Sequence, residues 1–423
     1  MQFLLSAIGS AGDVHPFIAI GQALHARGHA VRIAAMPPFE DRIRAAGLEF
    51  TALGTQADYQ RLVERAELWH PRRGARLIFD ELLARLPQAH ATIAALATPD
   101  TILVGSTLSW GMRLVQEQTG LAAATVHLSP TCIQSAIAPA VLPGIGDLGR
   151  LPTWSTRLLQ SAAERWVLDP WLAPRLNRVR AELGLAPVRQ IVSRWMHSPD
   201  LVIAAWPGWF APRQPDLPPH SLTTGFARFA EPMTELDSSL ESFLQAGEAP
   251  IGITPGSAMA HGDAFIASAV DACSARGRRA VLVTPYDTIV PRDLPGTVHR
   301  IGYAPFARLL PRLSALIHHG GIGSSAQALA AGLPQLVVPF AHDQFDNAKR
   351  LEREAGAIRL EQGATHEVWV RAIDALTSER SRAAARRAAE RSVTDGDASE
   401  KIGALLEGLA SQARQTHPPR KVR

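Results

Sequence analysis

Two histidines and three glycines stand together in the stretch HHGGIGSSA, residues 318–326, where an apolar run ends and an Ala-rich helical pattern begins. Glycines permit a tight turn and let an anion approach the backbone, here at Gly321 and Gly323. Ser324 adds a hydroxyl, and His319 adds an N–H that can bond phosphate oxygens without a metal. Because backbone amides at a helix N-terminus attract anions, this junction predicts a site for a diphosphate.

The same glycines fit a second pattern, because residues 321–326 also satisfy the G-x-G-x-x-A dinucleotide fingerprint. The next predicted strand, PQLVVPF, is followed by Asp343, where an acid that bonds a ribose would stand, so a nicotinamide-dependent dehydrogenase is an alternative. Against it, the fingerprint normally lies in the first βαβ unit of its domain, and the paired histidines have no role in that scheme. A third interpretation is a glycine-rich turn that serves geometry alone.

Three further segments of this half place polar or aromatic groups after predicted strands. Asp343 and Gln344, in AHDQFDNAKRL, offer the acceptors and donors that sugar hydroxyls need, although Asp-Gln before a helix is also ordinary capping chemistry. Tyr303, in GYAPF, can stack a planar base, with exposed backbone at Ala304 to bond the edge of that base; an isolated aromatic is more often core. Ser257, in the turn after IGIT, is a second candidate phosphate contact.

The first half of the chain contributes GSAGDVHP, residues 9–16, at another predicted strand-to-helix turn. If the two halves face each other across a cleft, Asp13 is placed to accept a proton from a hydroxyl that attacks an anomeric carbon. His15 is the second candidate base. Pro16 suits the first position of a helix, so Asp13 or His15 could instead serve as a cap. The strand after this turn, VRIAAMPPF, ends without an acid, so this half lacks the ribose-binding partner of a nicotinamide site.

Alternating strand and helix patterns surround both groups of residues and must position them. The chain begins QFLLSAI, PFIAIGQALHARG, HAVRIAA, which reads as βαβ, and a second alternation begins at IGITPGS. With 423 residues, we expect an α/β protein of two Rossmann-like, doubly wound parallel-sheet domains that face each other across a cleft. The predicted units are residues 1–212, residues 213–398 after a proline-dense linker, and residues 399–423, a helix and tail that dock back on the N-terminal domain.

The composition argues against several functions. No apolar run reaches the roughly 18 residues of a membrane-spanning helix. The start MQFLLSAIG reads as a first strand and not as a signal peptide, which predicts a cytoplasmic protein. The net charge is only +4 with acids and bases interspersed, so no nucleic-acid partner is expected despite a sequence pI of about 9.5. Cys132 and Cys273 form no metal or redox spacing, and we assign them no chemistry.

Two regions bear on membranes and acceptors. The basic stretch ERSRAAARRAAER, near residues 379–391, and the tail PPRKVR favour a solvated helix face and a frayed terminus, with weak attraction to anionic lipid at the inner face of the membrane as the alternative. A helical segment over residues 150–196, together with QSAIAPAVLPGIG near 134–146, could line an apolar channel for an acyl acceptor. Tryptophans are more often core residues, and this segment carries Trp154, Trp166, Trp171 and Trp195.

Taken together, these motifs resemble the GT-B glycosyltransferases of the UDP-glycosyltransferase superfamily. The resemblance rests on YAP, HHGGIGS, G-x-P and HDQFDNA in that order, behind an N-terminal GSAGDVHPF, and it covers nearly the whole chain. It implies a metal-independent, inverting sugar transfer from a nucleotide diphosphate donor on the C-terminal domain to an acceptor on the N-terminal domain. Asp13 stands where the family's general base stands, and no cofactor beyond the nucleotide sugar is implied. The residues that match donor-binding positions are Gly12, Ser257, Tyr303, Ala304, His319, Gly321, Ile322, Gly323, Ser324, Gln327, Asp343 and Gln344.

Within the superfamily, the chain is most similar to the rhamnosyltransferase catalytic chains of rhamnolipid synthesis, in AIGSAGDVHPFI, RWMHSP, WFAP, YAPFARLLP and GGIGSSAQALAAGLPQ. This likeness implies dTDP-L-rhamnose as donor and 3-(3-hydroxyalkanoyloxy)alkanoate, a lipid-like hydroxy acid, as acceptor. Two positions depart from relatives: Gln327 replaces a ribose-binding Glu, and Phe306 replaces the base-reading Gln of plant enzymes. Both are compatible with thymidine in place of uridine. A nucleotide-sugar epimerase of the same fold and a non-catalytic nucleotide-sugar binder remain alternatives.

Overall fold

The computed structural model describes residues 1–229, 231, 235–396 and 398–416, which fold around two parallel β-sheets. The strands of the first sheet are β1 (Gln2–Ser6), β2 (Ala30–Ala35), β3 (Glu49–Ala52), β4 (Thr101–Ser106), β5 (Ala123–His127), β6 (Leu201–Ala204) and β7 (Ser221–Thr223). The helices of this half are α1 (Ala11–Ala26), α2 (Glu40–Ala45), α3 (Gln56–Val63), α4 (Gly74–Leu96), α5 (Trp110–Thr119), α6 (Thr153–Ala163) and α7 (Asp169–Glu182).

The second half repeats the alternation of strands and helices. Its strands are β8 (Ile251–Thr254), β9 (Ala280–Val283), β10 (Val298–Ile301), β11 (Ala315–His318), β12 (Gln335–Val337) and β13 (Ile358–Arg359). Its helices are α8 (Ser238–Gln245), α9 (Asp263–Ala275), α10 (Phe306–Leu309), α11 (Ile322–Ala330), α12 (Gln344–Ala355), α13 (His366–Leu376) and α14 (Glu379–Thr394), and α15 (Ala398–Thr416) follows them.

The central strands are almost continuously apolar because helices bury both faces of each sheet. Every residue of β4 (TILVGS) and of β8 (IGIT) is buried, which is typical of parallel strands between two helical layers. The covering helices are amphipathic; α12, for example, buries Leu351 and exposes Glu352 and Arg353. The predicted parallel α/β architecture is confirmed.

Strand order places the predicted motifs at corresponding points of the two sheets. The order is β3-β2-β1-β4-β5-β6-β7 in the first sheet and β10-β9-β8-β11-β12-β13 in the second. The order therefore reverses between β1 and β4 and between β8 and β11, and open parallel sheets bind ligands beyond the carboxyl ends of the strands at such reversals. Residues 9–16 follow β1, Ser257 follows β8 and residues 319–324 follow β11, so all three lie at a reversal.

The predicted domain boundary near residue 213 lies too early in the chain. β7 pairs in parallel with β6, with Ser221 beside Val202, so the N-terminal sheet continues past the proline-dense stretch. That stretch is also less open than a linker, because Trp206 and Phe210 are buried in a cluster that includes Leu351 of α12. Prolines here shape a packed loop that returns the chain to the sheet edge.

The last helix, α15, lies against the N-terminal domain. Ile402 and Leu406 are fully buried in the same core as residues of β1 and α1. At the rim of this contact, Arg27 bonds Glu407 at 2.8 Å and His29 bonds Glu407 at 2.7 Å. The predicted tail beyond residue 416 lies outside the described residues.

The tryptophans of the segment 150–196 divide into two groups. Trp195 is buried and Trp171 is partly buried in one cluster with α4 and α5, as expected for core residues. Trp154 and Trp166 are 71% and 70% exposed, so for them the expectation of a core position is wrong. Among the described ranges, no helix has the length and hydropathy needed to cross a bilayer.

Candidate active site

Asp13 is the third residue of α1 and caps the helix on which it lies. Its Oδ2 accepts the backbone N–H of Ser10 at 2.7 Å and the Ser10 hydroxyl at 3.2 Å. Gly9 has φ +141°, and a Cβ built on it would lie 2.2 Å from Asp13 Oδ2, so only glycine leaves room for this carboxylate. Within the described part of the chain, Asp13 Oδ1 accepts no hydrogen bond, which leaves one oxygen for other chemistry.

This cap also corrects the predicted start of α1. The helix begins at Ala11, and Pro16 lies inside it and not at its first position. The cause is the pair of reciprocal bonds between Ser10 and Asp13, a capping box that starts the helix at the strand end. The sequence argument weighed capping against catalysis for Asp13, whereas the geometry lets one carboxylate oxygen cap while the other stays available.

The surroundings of Asp13 raise its pKa to about 6. Burial is the largest cause, the bonds from Ser10 oppose it, and the negative charge of Asp343 adds to it. Asp343 belongs to the other domain, so the two carboxylates interact across the interface. A carboxylate that is half protonated near pH 6 suits proton transfer close to neutral pH.

The two neighbouring histidines do different work. His318 is fully buried, its Nδ1 accepts the N–H of Gly320 at 3.1 Å, and its Nε2 therefore donates to Gln335 Oε1 at 3.0 Å. Burial also lowers the pKa of His318 to about 4. His318 is thus a neutral structural residue that fixes the turn before α11.

His319 instead lies over two glycines at the strand ends. A Cβ on Gly256 would lie 2.7 Å from His319 Cε1, and a Cβ on Gly321 would lie 2.4 Å from its Nε2. Burial lowers the pKa of His319 to about 3, with His318 as a second cause, so the ring is neutral at physiological pH. Its Nδ1 is buried without a partner among the described residues. Such a nitrogen requires a partner, and an anion at this turn would be suitable.

The turn after β11 leaves the N-terminus of α11 open. Gly321 is the N-cap residue and Ile322 the first helical residue, and no side chain caps the helix. Ser325 bonds the Gly321 carbonyl at 2.9 Å, whereas Ser324 and Gln327 are half-buried near the helix start. Uncapped amides at a helix N-terminus favour an anion, as the sequence predicted for this turn.

The AHDQF segment positions Asp343 through a network that includes an unpredicted residue. Asn347 is fully buried, donates to Asp343 Oδ2 at 2.8 Å and to the Gly320 carbonyl at 3.0 Å, and accepts from Ser129 at 3.2 Å. His342, just before Asp343, has φ +57°, a strained conformation that places the acid beyond the strand end. The i,i+4 spacing of Asp343 and Asn347 on one helix was the available sequence signal.

Gln344 is used differently from the expectation. Its Oε1 accepts the backbone N–H of Phe340 at 2.7 Å and of Ala341 at 3.1 Å. The predicted acceptor function is therefore taken up by the protein's own loop, because those amides lie just beyond the sheet and need a partner. The Gln344 amide nitrogen remains the group that can serve a sugar hydroxyl as donor.

The predicted base-binding segment combines an exposed aromatic side chain with a buried neighbour. Tyr303 is 44% exposed, and the guanidinium of Arg42 lies 4.5 Å from its ring centroid. Ala304 is only 2% exposed, packed in a cluster with Leu309 of α10, so the expected exposed backbone at Ala304 is wrong. Ser257 is exposed, as a phosphate contact would need.

Side chains after β4 and β5 complete the site and were missed by the sequence argument. Burial raises the pKa of Cys132 to about 11, with the charges of Asp343 and Asp13 as further causes. The Cys132 thiol is therefore protonated at neutral pH. Thr107 follows β4, at the reversal of strand order, so the rule that ligands sit beyond strand ends there points to it, whereas Ser129 follows β5, one strand further on.

The two domains are in direct contact at this site. A Cβ on Gly323 would lie 3.4 Å from Gly12 Cα, so the two helix N-termini meet. The rings of His342 and Trp69 lie 5.8 Å apart, and His261 Nε2 is 2.9 Å from the Glu64 carbonyl. A cavity of about 30 Å³ lies away from these residues, lined mainly by the N-terminal half, as by Trp206, and by Arg350 of α12. Among the residues that the structure describes, no cluster of three or more His, Cys, Asp and Glu could hold a metal ion.

Comparisons with known proteins agree with this arrangement. Residues 3–137 match the "Glycosyltransferase family 28 N-terminal domain", and residues 283–407 match the "Erythromycin biosynthesis protein CIII-like, C-terminal domain". O-mycaminosyltylonolide 6-deoxyallosyltransferase of Streptomyces fradiae is 30% identical over 373 residues, 85% of each chain. The fold is shared with the glycosyltransferase VinC in complex with dTDP, with a TM-score of 0.67, 21% identity, and coverage of 97% of this chain and 100% of that one. The spinosyn rhamnosyltransferase SpnG has a TM-score of 0.67 at 18% identity, covering 96% of this chain and 100% of that one.

These findings define the class of protein. The chain belongs to the GT-B glycosyltransferases of the UDP-glycosyltransferase type. It is an enzyme that acts on nucleotide sugars, so the dehydrogenase and the non-catalytic binder are wrong as alternatives for this protein. In agreement, the fingerprint-like glycines follow β11 and not β8, the first strand of that sheet.

Proposed function

We propose that the enzyme transfers L-rhamnose from dTDP-L-rhamnose, with inversion, to a hydroxyl of a lipid-like hydroxy acid such as 3-(3-hydroxyalkanoyloxy)alkanoate, giving a mono-rhamnolipid. One observation carries the reaction class. A carboxylate with one uncommitted oxygen follows β1, and an uncapped helix N-terminus follows β11, and the glycines beside them are in contact. Base and anion site thus lie on opposite sides of one interface.

Asp13 is the proposed general base. Its Oδ2 is held by Ser10, which fixes the carboxylate, and its Oδ1 accepts the proton of the acceptor hydroxyl as that oxygen attacks the anomeric carbon. His15 is a poor rival, because its ring packs edge-on at 5.4 Å from Phe229 and burial lowers its pKa to about 4. A ring with so low a pKa is a weak base and would accept the proton of the acceptor hydroxyl less readily than Asp13.

The leaving diphosphate is proposed to bind at the turn after β11. The amides of Ile322, Gly323 and Ser324 begin an uncapped helix, and the neutral His319 adds one N–H. Ser257 reaches the same region from β8. These groups oppose the negative charge that develops as the bond between sugar and phosphate breaks, so the transfer is proposed to proceed without a metal. Attack from the Asp13 side and departure on the other side invert the anomeric centre.

Thymidine is the proposed nucleoside of the donor. VinC, which shares the fold, was crystallised with dTDP, and SpnG is named a rhamnosyltransferase. In this chain, Gln327 stands in the second turn of α11 where a carboxylate would bond ribose hydroxyls more strongly. Phe306, at the start of α10, makes the predicted base pocket less polar. Asp343, held by Asn347, is proposed to bond the hydroxyls of the sugar, with the Gln344 amide as donor.

A second candidate follows from the 30% identical relative, whose name describes transfer of a 6-deoxyallosyl group to O-mycaminosyltylonolide. By this likeness, the chain would move another sugar to a different hydrophobic acceptor. An epimerase of the same fold would act on the donor without an acceptor.

One experiment separates these functions. The protein is incubated with dTDP-L-rhamnose, dTDP-glucose or UDP-glucose, each with and without a series of 3-hydroxyacyl acceptors and a macrolide, and products are measured by mass spectrometry. We expect a rhamnosyl adduct of the hydroxy acid and release of dTDP only when both substrates are present. Transfer to the macrolide alone would support the second candidate, and a changed sugar without acceptor would support an epimerase.

We also propose a cytoplasmic location with weak contact to the inner face of the membrane. Both cysteines, Cys132 and Cys273, are free, which fits a reducing compartment. The basic helix α14 is a weaker candidate for that contact, because three of its five arginines are paired: Arg382 and Arg386 with Glu379, and Arg391 with Glu354. A solvated helix face describes it better.

A further inference from the structure

The exposed apolar side chains of this protein are concentrated in one place. Of the twelve large hydrophobic residues exposed among the described ranges, nine lie between residues 137 and 167. We call this surface the 137–167 patch; its most exposed members are Trp154, Trp166, Ile145, Leu158, Val167 and Leu159. Single exposed hydrophobic residues are normal on a soluble protein, whereas a continuous group marks a surface that something covers.

The helix that carries much of the patch turns polar side chains toward the protein interior and apolar side chains toward solvent. In α6 and the residues after it, Thr156 is fully buried and Glu164 is 5% exposed, while Trp154 and Leu158 face outward. The inward polar side chains are satisfied locally: Gln160 donates to the Ser135 carbonyl at 2.9 Å, and Glu164 accepts the Ser193 N–H at 2.8 Å. Rotating the helix to bury its apolar face would break these hydrogen bonds, so the apolar face points outward in the stable fold.

The exposed charges of the patch come mainly from arginines. Arg150, Arg157 and Arg165 are exposed within it. The segment 137–168 contains two carboxylates, and both are engaged: Asp147 with Lys349 at 2.7 Å and Arg150 at 3.9 Å, and Glu164 in the bonds from Ser193. Exposed tryptophans beside arginines are the composition of a surface that enters the headgroup region of a bilayer, and arginines favour anionic lipids.

The patch also adjoins the site where the two domains meet. The N–H of Val141 donates to Asp346 Oδ1 at 3.0 Å, and Asp147 binds Lys349, so its loop lies on α12. The same helix begins at Gln344, beside Asp343. A molecule that leaves a bilayer under the patch would therefore arrive at the rim of the cleft.

We propose that the 137–167 patch is a membrane-docking surface that binds anionic lipid bilayers, with the tryptophans in the interface and the arginines on lipid headgroups. This deepens the membrane part of the proposed function, and it does not depend on the identity of the sugar or the acceptor. A protein partner or a second copy of the chain would also bury the 137–167 patch, but the positive charge of the patch favours anionic lipid.

Vesicle sedimentation tests the proposal without any substrate. The full chain is mixed with vesicles of phosphatidylcholine alone or with phosphatidylglycerol added, and the bound fraction is measured. We expect binding to the anionic vesicles that W154S/W166S weakens about tenfold or more, since each exposed tryptophan loses its apolar burial. R157S/R165S should weaken it about fivefold per arginine and reduce the preference for phosphatidylglycerol.

Matched variants on another face serve as controls. Val393, on α14, is 75% exposed, so V393S removes an exposed apolar side chain elsewhere, and R380S/R387S removes two exposed arginines of α14. Both should bind like the wild type. All altered side chains are exposed, and circular dichroism checks that each variant is folded.

Quenching by brominated lipid adds an independent reading. Tryptophan fluorescence of the wild type should be quenched in anionic vesicles, and the quenching should fall in W154S/W166S. Equal sedimentation of the wild type and W154S/W166S, or no sedimentation of the wild type, would overturn the proposal. A concentration-dependent mass by light scattering that W154S/W166S abolishes, without vesicle binding, would assign the patch to a second copy of the chain. Failure of sugar transfer leaves the vesicle result unaffected, so the two proposals are tested separately.

Discussion

The turn after β1 and the turn after β11 share an architecture and differ in one respect. Each leads from a parallel strand at a reversal of strand order into a helix, and each contains a positive-φ glycine, Gly9 at +141° and Gly320 at +89°. At the first turn the chain caps its own helix with the carboxylate of Asp13. At the second turn Gly321 is the N-cap and no side chain caps α11.

This difference in capping suits the turn after β1 to accept a proton and the turn after β11 to bind an anion, although their backbones are similar. A helix start that already holds an internal carboxylate has less to offer an external anion, and it presents that carboxylate to the interface instead. A helix start without a cap keeps its amides for a ligand, and the adjacent His319 has a buried nitrogen without a partner among the described residues. The first turn is suited to take a proton and the second to hold a phosphate.

The largest expected effect comes from removing the charge at the first turn. Asp13→Asn can keep the Ser10 bonds through its amide oxygen but cannot take a proton, so turnover should fall about a thousandfold, within the range for general bases. Affinity for dTDP, measured by calorimetry, should stay within twofold of the wild type. Full activity of this variant would remove Asp13 from the reaction.

The second turn should respond differently. His319→Ala removes a donor to the developing charge, so turnover should fall by about a hundredfold or more, and affinity for dTDP should fall as well. His318→Gln is the comparison, because within the described ranges the side chain of His318 bonds only Gly320 and Gln335. Unchanged dTDP affinity in His319→Ala would show that His319 does not bind the diphosphate.

The acid limb of the pH profile reports on the first turn. Because the pKa of Asp13 is about 6, kcat/KM should fall tenfold per pH unit below that value, as the base becomes protonated. The pKa of His319 is about 3, so dTDP affinity should show no step from this ring between pH 5 and 8. A profile of kcat/KM that is flat from pH 5 to 7 would contradict the assigned base.

Glycine at position 256 offers a milder change at the second turn. Gly256→Ala introduces a Cβ 2.7 Å from His319 Cε1 at a residue with φ +103°, which should displace the ring and weaken dTDP binding about tenfold. Gly28→Ala, at φ +84° with open space around it, carries similar backbone strain without the clash. Equal dTDP affinity in the two variants would mean that the position of His319 does not matter.

The sequence predicted the fold and the strand-end motifs because both depend on local patterns. Apolar runs alternating with helical periodicity give the parallel sheets, and Gly-rich turns fall at strand ends. It assigned a phosphate contact to His319 alone and gave no role to His318, because that role depends on a bond to Gln335, on the neighbouring strand. The bond between Ser129 and Asn347 escaped notice because it joins residues of different domains, 218 positions apart in the sequence.

Other errors arose where tertiary contacts override a local rule. Pro16 suits a helix start, but the Ser10–Asp13 capping box begins the helix earlier. Prolines near residue 213 suit a linker, but β7 adds to the first sheet beyond them. Trp154 and Trp166 suit a core, yet α6 buries Thr156 instead. Amino-acid composition alone does not indicate which face of α6 packs against the protein.

The smallest effect concerns stability, and it has a definite sign. The folded protein holds a proton on Asp13 up to about pH 6, whereas an unfolded aspartate releases it near 3.8. Wild-type stability is therefore lost as pH rises through this window, by up to about 3 kcal/mol from the difference in pKa. Asp13→Asn carries no charge at any pH and escapes the loss. Its melting temperature, relative to the wild type, should rise between pH 4 and pH 7. Ser10→Ala, which loses the side-chain bonds of Ser10 but keeps the Asp13 carboxylate, should show no such rise. A pH-independent difference for Asp13→Asn would mean that the first turn holds its carboxylate without strain, and the contrast between the two turns would then rest on the anion site alone.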